Sequence, residues 1–77
     1  MAILGFLTHT VEGKSKEVEA ALAAMPELST YGIHQDCYVV VVAEADSADL
    51  EGLMSRVHAL DGVLTTYVTS LNVEDEQ

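Results

Sequence analysis

The stretch from Cys37 to Ala43, with Val39, Val40, Val41 and Val42 in succession, favours an interior strand over the buried helix segment that a short apolar run also allows. Four β-branched side chains favour extended backbone and pack well on a pleated surface. The run contains no glycine or proline, and the acidic segment Glu44-Ala45-Asp46-Ser47 is expected to turn the chain after it. A strand apolar on both faces belongs in the middle of its sheet.

Around that strand the other elements fall into place. Ile3 to Thr10 reads as a first strand, and Glu12-Gly13-Lys14 as the turn that ends it. Ser15 is the expected N-cap of a helix whose Val18, Leu22 and Met25 form an apolar stripe at i, i+4 and i+7. Pro26 stops it, because the residue before a proline is driven out of the helical region. Leu28 to Gln35, interrupted by Gly32, reads as an edge strand joined to the valine strand by a hairpin of open turn type. Asp46 is expected to start a second helix, with Asp49 completing a capping box. Leu50, Leu53, Met54, Val57 and Leu60 give that helix its apolar face, and Gly62 suits the left-handed residue after it. Val63 to Val73 is the last strand, and residues 74–77 an acidic tail.

The predicted order is β-α-β-β-α-β, and its halves echo each other. Met25-Pro26-Glu27-Leu28-Ser29-Thr30-Tyr31 follows the first helix as Asp61-Gly62-Val63-Leu64-Thr65-Thr66-Tyr67 follows the second. Right-handed crossovers then put both helices on one face of a four-stranded antiparallel sheet, the α+β ferredoxin-like arrangement, with strands one and three central. Residues 1–73 are expected to form this single domain. Met1 leads directly into the first strand, so no second domain is expected.

The sheet's other face is left open. In the first strand Leu4 and Phe6 should face the helices, with Gly5, Leu7 and His9 on the open side. In the last strand Leu64 and Val68 should face the helices, with Thr65, Tyr67 and Thr69 on the open side. Val39 and Val41 are assigned to the open face, with Val40 and Val42 beneath the helices, and Val63 adds to the open apolar set. A register error of one residue would exchange these faces. Such a surface can take the apolar side of a helix or a second sheet. On composition, partner binding and self-association into a weak homodimer are equally open.

Charge narrows the partners. Thirteen acidic residues against three basic ones give a net charge of −10. That field repels nucleic acid and anionic membranes and attracts basic segments, although acidity also serves solubility alone. No membrane insertion is expected, since Ile3–Leu7 is too short for a span or a signal core, and the protein reads as cytoplasmic.

No motif demands catalysis, a cofactor or a metal. Cys37 is the only cysteine, which excludes an internal disulfide. His9, His34 and His58 are far apart in sequence, and Arg56 is the only arginine, placed mid-helix rather than in a phosphate-holding loop. The chain is therefore read as a non-enzyme.

Several of these segments together resemble one family. They are the helix ending in Met25-Pro26, the strand Tyr38-Val39-Val40-Val41-Val42-Ala43-Glu44-Ala45, and Leu60-Asp61-Gly62-Val63-Leu64-Thr65-Thr66-Tyr67 with its acidic end. They are similar to the NapD-type chaperones of periplasmic nitrate reductase maturation. The resemblance implies a cytoplasmic protein that binds the twin-arginine signal peptide of a molybdoenzyme subunit and delays export until its cofactor is inserted. The open-face residues would be the peptide-binding ones. The alternative is a ferredoxin-like ligand-binding or oligomerisation module of a regulatory system.

Overall fold

The valine strand lies inside the sheet, hydrogen-bonded to a neighbour on each side. In the computed structural model, which describes residues 2–73, the elements run β1 (Ala2–Thr10), α1 (Ser15–Ala23), β2 (Leu28–His34), β3 (Tyr38–Ala45), α2 (Ser47–His58) and β4 (Val63–Val73). The expected tail, residues 74–77, lies outside the described residues. The strands form one antiparallel sheet in the order β2-β3-β1-β4, a ferredoxin-like α+β fold with β1 and β3 central. β3 continues through Glu44 and Ala45, where a turn was expected, because Ile3 and Ala2 pair with them.

One core lies between the sheet and the helices. Leu4 and Phe6 of β1, Leu28 of β2 and Val39, Val41 and Ala43 of β3 meet Val18 and Leu22 of α1 and Leu53 and Val57 of α2. Burying each large side chain of this set stabilises the fold by about 1.5–3 kcal/mol. The helices therefore cover the face that carries Phe6 and Val41.

This reverses the expected parity of β3. Phe6 is paired with Val41, Leu4 with Ala43 and Thr8 with Val39. Residues opposite each other in a ladder share a face, so Val39 and Val41, both 0% exposed, lie under the helices. Val40 and Val42 are on the open side, paired with Leu7 and Gly5. Val63 is corrected as well. The β1–β4 register shifts between His9 and Thr10, which sets Val63 opposite core-facing Thr10 and packs it against the core. A bulge inserts a residue and so restarts the alternation.

The connections differ from expectation in detail. Lys14, not Ser15, occupies the N-cap position of α1, and Asp46 caps α2 by position without a side-chain capping bond. The expected capping box is thus not formed; Asp46 instead accepts the Asp49 N–H at its carbonyl, 2.8 Å away. Gln35 and Asp36 have φ of 54° and 58°, and the Cys37 N–H donates to the His34 carbonyl at 3.3 Å. Positive φ at both central residues of the turn His34–Cys37 is the type I′ signature, and Cys37 is the third residue of the loop before Tyr38 pairs with His34.

Gly62 is required twice over. Its φ is 97°, and a Cβ there would stand 3.1 Å from Lys14 Cβ and from Val18 Cγ2. Its carbonyl accepts the Val11 N–H at 2.8 Å, tying the entrance of β4 to the end of β1.

Candidate binding face

Among the described residues no element covers the side of the sheet away from the helices. Its rows follow from the ladders. Tyr38, His9 and Thr65 lie across the first row, Val40, Leu7 and Tyr67 across the second. Val42, Gly5 and Ser70 form the third, and Glu44, Ile3 and Asn72 the fourth. Four rows span about 20 Å of strand, which is the length of about 13 residues of α-helix. The middle of this surface is apolar, and Glu44 is the only carboxylate in the four rows.

The structure brings together Gly5, Leu7, His9, Thr65, Tyr67 and Thr69 of the sequence-predicted set. At Gly5 the side chains of β4 crowd β1. A Cβ on Gly5 would come within 2.7 Å of Ser70 Oγ and 3.1 Å of Thr69 Oγ1. The register shift between Gly5 and Phe6 places the extra residue there, so both hydroxyls crowd the glycine and leave it buried. Val39, Val41 and Val63 do not join this surface, for the reasons of register given above.

Sequence reasoning missed Tyr38, Val40 and Val42. Tyr38 matters most, because it builds an aromatic cluster with two residues that were expected. The His9 and Tyr38 rings stack with centroids 4.8 Å apart and planes 23° apart. Tyr67 completes a triangle, 6.4 Å from His9 and 6.5 Å from Tyr38. Counting by twos back from Val40 would have placed Tyr38 here, had the parity of the valines been known. Beside the cluster, a cavity of about 470 Å³ is lined in part by His9, Glu12, Asp36 and Leu64.

A second cavity, of about 740 Å³, lies along the first half of α2 and has Glu27, Glu44, Asp46 and Asp49 on its walls. It already contains a guanidinium, since Arg56 Nη2 donates to Glu27 Oε2 at 2.9 Å. That hydrogen bond is the largest influence holding the Glu27 carboxyl below its usual range.

Little else suggests chemistry. No group of three or more His, Cys, Asp and Glu side chains is arranged to hold a metal among the described residues. Cys37 is half-buried in the β2–β3 turn, where its carbonyl accepts the Thr10 N–H at 2.8 Å and the Thr10 hydroxyl at 3.3 Å. Among the described residues no helix is long and apolar enough to cross a membrane.

Comparison with known proteins agrees with this architecture. The E. coli Tat proofreading chaperone protein NapD, known from a solution structure, superimposes with a TM-score of 0.80 at 19% identity, over 97% of this chain and 81% of that one. A hypothetical protein from Pyrococcus horikoshii, known from a crystal structure, superimposes with a TM-score of 0.85 at 24% identity, over 99% and 94% of the two chains. At these identities the likeness establishes the fold. No curated protein matches by sequence. The family model described as NapD protein matches residues 1–75, and the chain therefore belongs to the NapD family.

Proposed function

We propose that this protein is a cytoplasmic chaperone that binds the twin-arginine signal peptide of a molybdoenzyme subunit, a periplasmic nitrate reductase. By holding the peptide it delays export until the enzyme's cofactor has been inserted. It acts by binding, without catalysis and without a cofactor of its own. The observation that carries this reading is the part-exposed apolar strip through Leu7, Val40 and Val42, which no element covers among the described residues, on a chain of net charge −10. A signal peptide has a basic end and an apolar helical segment, and the strip is about as long as a 13-residue helix.

Family membership and the Tat proofreading role given for the E. coli relative support the same reading. Exposed charge pairs contribute only about 0.2–1 kcal/mol each. Affinity then comes mainly from apolar burial, while the acidic field speeds encounter. Isothermal titration calorimetry with a twin-arginine signal peptide tests this. Saturable binding with a negative heat-capacity change is expected, and absence of binding at high peptide excess would end the proposal.

The free edge of β4 favours one additional state. Leu64, Val68 and Leu71 are 58–60% exposed, and no charged residue interrupts Val63–Val73. An uncharged, unpaired edge is a site for strand pairing, so weak homodimerisation is expected at high concentration, and sedimentation equilibrium would measure it.

A further inference from the structure

We infer that the His9–Tyr38–Tyr67 end of the open face is a subsite for a guanidinium side chain, which fixes the direction in which a bound peptide lies. This rests on the reading that the open face holds a peptide with a positive end, and it locates that end. Three features of different chemistry meet at one place. The aromatic triangle offers ring faces, and Tyr67 is half exposed. The adjoining cavity of about 470 Å³ is lined in part by the acidic residues Glu12 and Asp36 and by Leu64. His9 belongs to both the triangle and the cavity, so the two are continuous.

A guanidinium suits that set better than other cations. It is planar and weakly hydrated, stacks on aromatic faces, and its donor fork matches carboxylates. Its apolar stem needs a greasy wall, which Leu64 supplies. The type I′ turn, with Asp36 at φ 58°, fixes the backbone that carries one of the carboxylates.

The opposite end of the face is a poorer choice. Glu44 closes the last row there and also lines the larger acidic cavity. That cavity has no aromatic ring on its wall, and Arg56 already donates to Glu27 within it. The peptide's apolar segment would then run from Leu7 and Val40 toward Ile3, with its cationic residue over His9.

Ethylguanidinium alone tests the subsite, with sodium chloride at equal ionic strength as the control, read by amide and ring chemical shifts. Saturable shifts at His9, Glu12, Asp36 and Leu64 are expected. The double variant Glu12→Gln/Asp36→Asn and the variant Tyr38→Leu should each weaken them by about three- to ten-fold. Absence of saturation there, equal affinity in the double variant, or saturation only at Ala48 and Gly52 beside the larger cavity would overturn the inference. A signal peptide with its arginines changed to glutamine separates the two readings. If it still shifts Leu7 and Val40 but leaves His9 unmoved, both stand. If it shifts His9 as strongly as the arginine peptide does, the guanidinium subsite is wrong and the peptide-binding face remains. If neither peptide binds, the face reading fails, and ethylguanidinium still decides the subsite.

Discussion

Phe6 and Val41 stand opposite each other across the β1–β3 ladder, and both are sealed beneath the helices. Their neighbours Leu7 and Val40 are paired in the same way on the other side of the sheet. The same substitution at adjacent valines should therefore have unlike consequences. Val41→Thr puts a hydroxyl without a partner into the core and should cost about 1–3 kcal/mol. Val40→Thr should change stability by less than about 0.5 kcal/mol and should weaken peptide binding. Urea denaturation of the two variants measures the difference; equal midpoints would mean that the faces are misassigned.

Thr8 is wholly buried, and its hydroxyl has no hydrogen-bond partner. Thr8→Val replaces that hydroxyl with a methyl group of similar size, in a buried position between Val39 and Thr66. An increase in stability of about 1 kcal/mol is expected, seen as a higher urea midpoint with an unchanged slope.

The β2–β3 turn holds two side-chain-bearing residues, Gln35 and Asp36, at positive φ. A left-handed conformation costs a residue with a Cβ about 1–2 kcal/mol. The pair Asn-Gly is the usual occupant of such a turn. Gln35→Asn/Asp36→Gly should accordingly raise the thermal midpoint, while the loss of the Asp36 carboxylate weakens ethylguanidinium binding.

Glu27 titrates below the ordinary carboxylate range, first because of its hydrogen bond from Arg56 and then because of a backbone hydrogen bond. Burial acts in the opposite direction, and Glu27 Oε1 is shielded without a partner. A folded-state value lower than the unfolded one means stability that is present above the unfolded value and lost as pH falls through the folded value. Arg56→Gln should raise the Glu27 midpoint, followed by carboxyl carbon shifts. The stability gap between the two proteins should close as the solution is acidified.

Much of the fold can be read from residue types alone. The valine run marks an interior strand, Pro26 and Gly62 mark the connections after the helices, which end earlier at Ala23 and His58, and the repeat Leu28–Tyr31 against Leu64–Tyr67 becomes the two outer strands. The facing of β3 was not legible, because four identical side chains carry no alternation. Its parity is set by the partner strand, where Phe6 selects Val41. Val63 was misplaced by a register shift that no residue type announces, and Tyr38 was missed with the valines. Gly5, Leu7, His9 and Tyr67 were placed correctly because β1 and the middle of β4 alternate plainly.

Which surface a signal peptide touches decides whether the open face is the binding face. Intermolecular nuclear Overhauser effects between an unlabelled twin-arginine peptide and the labelled protein measure this directly. Contacts from the peptide's apolar segment to Leu7, Val40, Val42 and Tyr67 are predicted, with none to Val68 or Leu71 on the helix side of β4. Contacts confined to the helices or to the outer edge of β4, with Leu7 and Val40 silent, would contradict it.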